Sequence, residues 1–189
     1  MIKIRLEIEE IKIHRPKKRW NLYFIFLTEH PEITDKMILT TLPTQPIRLS
    51  PSKENVYSFE AEGAGSDGLF VLERKMPENR RMNVQCYLRH SRNRLRNVGE
   101  ILSDMKGALG VDAFDIVEDI VGKGIPWLEV SKNVIPKIGT VIKTIKDRDF
   151  GFLSMNEEFG DEFENQTELD RANDFTGDAS LVWSWSVKD

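Results

Sequence analysis

The residues best able to do chemistry in this chain are arginines. Arg89, Arg92, Arg94 and Arg96 put four guanidinium groups into eight residues. The wider stretch between Leu72 and Val98 adds Arg74, Lys75, Arg80 and Arg81 against only Glu73 and Glu78. Arginine offers a flat fork of donors that matches phosphate and carboxylate oxygens. A loop at 89–96 so composed would attract an anionic partner, either phospholipid headgroups or an acidic protein surface. The alternative is a solvated loop whose arginines pair with carboxylates of the same molecule. Nucleic acid is disfavoured, because the loop has no interleaved aromatics for base stacking and the net charge is −4.

Carboxylates concentrate further on. Residues 147–178 hold eleven of them with only Arg148 and Arg171 for balance. Asp147, Asp149, Glu157, Glu158 and Asp161 are the candidate ligands for a hard cation such as Ca²⁺, which takes about six to eight oxygens. Their spacing is not that of an EF-hand loop. The competing expectation is an acidic loop that binds no cofactor. Phe150, Phe152, Phe159 and Phe163 predict that this stretch packs against something. A carboxylate- or metal-dependent hydrolase remains the enzymatic alternative.

Other fragments resemble catalytic motifs without their context. Gly63-Ala64-Gly65-Ser66-Asp67-Gly68 and Asp149-Phe150-Gly151 imitate two pieces of a protein kinase. The lysine strand, its glutamate partner and the catalytic loop are missing, and the chain is too short for two lobes. His14, His30 and His90 are scattered, and no G-x-S-x-G elbow occurs. Cys86 alternates with Met82, Val84 and Leu88, which marks a buried strand position; a lone cysteine also excludes an internal disulfide.

The elements that must position these groups read as β-strands over the first hundred residues. Ile2, Ile4, Leu6 and Ile8 share one face of a strand, and Ile11 and Ile13 continue on the opposite parity. Glu9-Glu10 therefore predicts a bulge, since one extra residue flips all later side chains. Trp20–Leu27 is apolar almost throughout, as in a strand buried on both faces. Met37–Leu42 reads as a short strand ended by Pro43 and Pro46. Further strands are predicted from Val56, over Leu69–Leu72 after the glycine loop, and over Met82–Leu88. Six or seven strands at this spacing suit an antiparallel sandwich.

Beyond residue 102 the period changes to helical. Asp112 is placed to cap a short helix carrying Phe114, Val117, Ile120 and Val121. Val134, Ile138, Val141, Ile142 and Ile145 predict another, with Pro136 in its first turn. The fold expected is thus one mainly β domain, an antiparallel sandwich with a helical insertion at about 103–146. An acidic loop at about 147–178 then leads to a last strand, Leu181–Val187. Trp127 with Lys132, Lys137 and Lys143 could lie in a bilayer interface, rings down and lysines up. That makes a membrane-active, pore-forming or toxin-like protein the first functional alternative, ahead of the hydrolase; the same stripe would equally cover one end of the core.

The run Met82-Asn83-Val84-Gln85-Cys86-Tyr87-Leu88-Arg89-His90-Ser91-Arg92, then Val98-Gly99-Glu100-Ile101-Leu102, resembles the late part of a C2 domain. There a strand leads into a ligand-binding loop and the chain re-enters the sheet at a Gly-Glu corner. The resemblance spans residues 1–102 and the final strand. It implies an eight-stranded sandwich that binds lipids or proteins. Calcium-binding members use aspartates in that loop; arginines here imply the calcium-independent type. No stretch reaches the roughly 18 apolar residues needed to span a bilayer. The alternating start of the chain is not a Sec leader. A cytoplasmic or peripheral-membrane protein is expected, with leaderless export compatible.

Overall fold

The computed structural model describes residues 2–14, 19–29, 37–49, 55–59, 68–91, 115–116 and 147–188. They form twelve strands: β1 Lys3–Ile13, β2 Trp20–Glu29, β3 Met37–Leu49, β4 Val56–Ser58, β5 Leu69–Lys75, β6 Arg81–Met82, β7 Val84–His90, β8 Asp115–Ile116, β9 Arg148–Ser154, β10 Glu157–Glu158, β11 Glu168–Asp174 and β12 Ala179–Lys188. One short helix, α1, covers Glu162–Asn165. A first sheet runs β11-β12-β1, and the far edge of β1 pairs with β5 along Lys3–Ile8 and with β4 along Glu10–Lys12. A second sheet runs β8-β3-β2-β7-β9, and β10 pairs with β6 as a small ribbon. Pairing is antiparallel except between β3 and β8.

Alternation builds the core between the sheets. The first sheet contributes Ile4, Leu6, Ile8, Ile11 and Ile13 with Leu181, Trp183 and Trp185. The second contributes Trp20, Leu22, Phe24 and Phe26 with Val84, Cys86 and Leu88. The result is a mainly β, sandwich-like arrangement around one apolar cluster, as the sequence pattern predicts. Glu9 is the extra residue of β1: Ile8 lies opposite Trp183 and Glu10 opposite Val182. That bulge keeps both Ile4–Ile8 and Ile11–Ile13 on the core face. Tyr23, Ile25 and Leu27 are buried but outside the inter-sheet cluster, so β2 is buried on both faces.

Four expectations are corrected. First, β3 does not stop at Leu42 but continues to Leu49. Pro43 and Pro46 fall between the Phe24–Leu42 and Leu22–Ile47 pairs, where the register shifts. No ladder bond is asked of them there. Second, 147–178 is not an acidic loop. It contains β9, an edge of the second sheet, and β11, an edge of the first. Edge strands tolerate charge on their open side, which hides them from a search for apolar alternation. Third, Asp115 and Ile116, expected inside a short helix, pair with Ile38 and Leu39 as a strand. Fourth, the chain rejoins the sandwich at β9, well before the final strand. Because β7 and β9 are antiparallel neighbours, residues 92–146 are a long connection between two adjacent strands. The helices expected at 103–146 lie outside the described residues, apart from that short strand. Among the described residues no helix is long and apolar enough to cross a membrane.

Candidate functional site

The connection 92–146 starts and ends at one place, and the polar residues there are the best-built cluster among the described ones. Tyr23 lies opposite Arg89, and Arg89 opposite Asp149, so β2, β7 and β9 each give one side chain to a cross-strand row. Their parity is opposite to that of Leu22, Leu88 and Phe150. The row therefore stands on the outer face of the second sheet, away from the inter-sheet core.

Arg89 is fully buried (0%) and holds the row together. Its guanidinium donates to the Asp147 carbonyl oxygen at 2.8 Å and lies 3.3 Å from Asp149 Oδ1. The Tyr23 hydroxyl donates to Asp147 Oδ2 at 2.9 Å. Burial first, and then the Asp147 carboxylate, push the Tyr23 pKa well above its ordinary value. The phenol therefore keeps the proton that the hydrogen bond needs. On the other side of β7, the Ser91 amide donates to the Asn21 carbonyl at 2.8 Å, and the Asn21 amide donates to His90 Nδ1 at 3.0 Å. Trp20 packs edge-on against His90 and Phe150 at 5.1 and 4.9 Å, and the Arg148 guanidinium covers the Trp20 ring at 5.3 Å. Both ends of 92–146 are thereby tied to β2. Chemically this is a clamp that ties β2, β7 and β9 to one another.

Arg89 therefore changes role. The sequence places it on an exposed, partner-facing loop; in the fold it is a buried strand residue on the outer face of the second sheet, held against Asp147 and Asp149. Its long stem and charge are accommodated because two oxygens meet the guanidinium. Arg92, Arg94 and Arg96 lie outside the described residues, as do Trp127, Lys132, Lys137 and Lys143.

The five carboxylates proposed as metal ligands do not converge. Asp147 and Asp149 belong to the clamp. Glu157 takes a forked pair from Arg171 at 2.9 and 3.3 Å, and Glu162 takes the same guanidinium at 2.8 Å. These two carboxylates push the Arg171 pKa above its ordinary value. Glu158 pairs with Arg81 at 3.1 Å across the β6–β10 ribbon. Asp161 precedes α1 without a side-chain cap. Among the described residues no three His, Cys, Asp or Glu side chains gather into a metal-holding set. Cys86 is buried in the core, and burial drives its thiol pKa up, away from nucleophilic use.

The kinase-like Asp149-Phe150-Gly151 has a local explanation. Asp149 pairs with Arg89 and accepts the Gly151 amide at 3.0 Å; Phe150 enters the core. Gly151 has φ +101°, and a Cβ there would run into Thr176 of the β11–β12 turn. Tyr23 and Arg148 were not singled out by sequence. A tyrosine inside the apolar run of β2 was the available signal, because a buried hydroxyl needs a partner. No protein-family model matches the chain, and no curated protein matches it.

Proposed function

We propose that this protein is a non-catalytic binding module, C2-like and calcium-independent, that engages an anionic partner through Arg92, Arg94 and Arg96. A helical insertion at 103–146 springs from the same neck. The observation that carries this reading is the clamp at Arg89. It fixes the strand end immediately before the three arginines and also the return at Asp147. A fixed stem lowers the ordering cost of binding, so more of the guanidinium–anion attraction appears as affinity. Arg89 serves by anchoring, and its neighbours make the contact. The partner is recognised as phosphate or carboxylate, by forked donors, and the affinity falls with ionic strength as the Debye length shortens.

The experiment replaces Arg92, Arg94 and Arg96 with Ala together and measures binding to phosphatidylserine-containing vesicles and to an immobilised acidic peptide. Wild-type protein is expected to bind one of these probes in a salt-sensitive manner. The triple variant loses that binding at an unchanged thermal midpoint. Wild-type protein that binds neither probe, or a variant that binds as well as wild type, removes the proposal.

A further inference from the structure

The strongest feature outside the clamp is on the outer face of the first sheet. Register sets Lys188, Lys3 and Lys75 side by side across β12, β1 and β5. Like charges directly opposite each other in neighbouring strands repel, and here the juxtaposition occurs twice in one row. Glu73 answers only part of it. Its carboxylate accepts from Lys3 Nζ at 3.0 Å, and that bond, with the charge of Lys3, lowers its pKa. One step further in, Arg5 is taken up by Glu7 at 2.5 Å and lies over the Phe70 ring at 5.4 Å. Lys75 and Lys188 are exposed; neither forms a close ion pair among the described residues, and Lys188 reaches Glu73 only through its charge.

Apolar surface accompanies this charge. Phe70 is 48% exposed, one of three large hydrophobic side chains left open among the described residues. Phe70 lies on β5 opposite Glu7, on the face that carries Lys3 and Lys75. The same face ends at its other edge in β11 with Glu168, Asp170 and Asp174, whose cross-strand partners are Ser186, Ser184 and Ser180. The face is thus polarised, basic and apolar at one side and acidic at the other.

We propose that the β1–β5 side of this face docks on an anionic phospholipid bilayer. Lys3, Lys75 and Lys188 meet headgroup phosphates while Phe70 enters the interfacial region. Three features favour lipid over a protein partner. Lysine is a mobile point charge, suited to a fluid layer of phosphates more than to fixed carboxylates. A bulky apolar side chain beside basic residues is the composition that holds proteins at bilayer interfaces. The acidic edge at β11 would be repelled by the same surface, which orients the docking. This surface is distinct from the clamp that precedes the arginine segment. Gly177, in the turn before β12, approaches the Phe150 backbone near the clamp. Lys188 ends β12, roughly 30 Å away at strand rise.

The test is co-sedimentation of the full chain with phosphatidylcholine vesicles, with and without phosphatidylserine, over a range of salt. Wild-type protein is expected to sediment only with the anionic vesicles and to release as salt rises. The variant with Lys3, Lys75 and Lys188 all changed to Ala should partition on the order of a hundredfold less, since each basic residue near such a surface contributes about fivefold. Phe70→Ser should weaken binding at all salt concentrations. The pair Lys75→Ala and Lys188→Ala relieves repulsion, so it keeps the fold and still lowers partition. The variant with Arg92, Arg94 and Arg96 replaced by Ala should keep the share of anionic-vesicle binding that the lysine variant loses, whatever share the arginine segment itself contributes. Loss in that arginine variant alone overturns this inference while supporting the arginine segment as the binding site. Wild-type protein that ignores anionic vesicles, or that self-associates through the lysine row instead, overturns it as well.

Discussion

Replacing Arg89 with Met tests the clamp most directly. The methionine fills most of the volume of the arginine stem, so the cavity left behind is small and the change isolates the guanidinium. Two contacts among the described residues set the size of the effect. The hydrogen bond to the Asp147 carbonyl, from an ionised donor in a fully buried setting, is worth about 1.5–3 kcal/mol. The pair with Asp149 is worth much less, because the carboxylate is 38% exposed and water screens it to about 0–1 kcal/mol. The expected loss is therefore about 2–4 kcal/mol. At about 2–4 °C per kcal/mol for a domain of this size, the thermal midpoint falls by roughly 5–15 °C. Urea unfolding followed by tryptophan fluorescence measures it, with the slope expected to be unchanged. Asp149→Asn should cost under about 1 kcal/mol by the same reasoning. Two results would refute the assignment: Arg89→Met within about 0.5 kcal/mol of wild type, the size of an ordinary surface change, or Asp149→Asn as costly as Arg89→Met.

The alkaline side of the stability profile should fall with pH. Burial pushes the Tyr87 pKa from 10.0 up to about 12, and Tyr23 is raised too. Above pH 10 the unfolded chain loses phenolic protons that the native state retains, so stability declines as pH climbs from 10 toward 12. Tyr87→Phe and Tyr23→Phe should each flatten that decline in denaturant titrations, and a parallel decline in the double variant would disprove the link. Gly151→Ala should destabilise by about 2 kcal/mol or more, from the left-handed backbone and the collision with Thr176. Thr176→Ala in the same chain should recover only part, since φ +101° at position 151 persists; full recovery of the midpoint would contradict this. Cys86 should react with a thiol reagent at pH 8 only as fast as the protein opens, because it is fully buried and its pKa is raised. A rate matching a free thiol would contradict its core placement.

The parts of the fold legible in the sequence are those where side-chain period and burial agree. The Glu9 bulge follows from a parity change between Ile8 and Ile11, and the structure shows that register shift. The double burial of β2 follows from an apolar run too continuous for a one-sided strand. The strands β9 and β11 were not legible. Glu168, Asp170, Ala172 and Asp174 face outward from a sheet edge, and the residues that alternate with them, Leu169 and Arg171, give too little apolar contrast for a period of two to emerge. β3 was cut short because proline was taken as a stop, whereas a register shift can place proline where no donor is required. The role of Arg89 was illegible for a different reason. Arg89, Asp147 and Asp149 were each picked out by residue type, but pairing partners 58 and 60 positions apart are set by which strands become neighbours. Local spacing carries no information about that.

That separation gives the clamp its meaning. Antiparallel neighbours such as β7 and β9 are normally joined by a few residues. Here their ladder, from Gln85–Ser154 to His90–Arg148, must close across residues 92–146. Were it tied only at its ends, a connection of roughly fifty residues would cost about 2 kcal/mol more to close than a four-residue turn; the β3–β8 pairing adds one further tie. The contacts of Arg89, estimated above at about 2–4 kcal/mol, are of the size needed to offset that cost. They stand at the last rungs before the chain departs. Arg89→Met should therefore weaken the β7–β9 ladder more than the rest of the second sheet. Hydrogen exchange tests this: the amides of His90, Arg148 and Asp149 should lose protection ahead of those of Phe24 and Phe26. Uniform loss across β2, β7 and β9 would instead mean that Arg89 supports the whole sheet, and the neck would have no special standing.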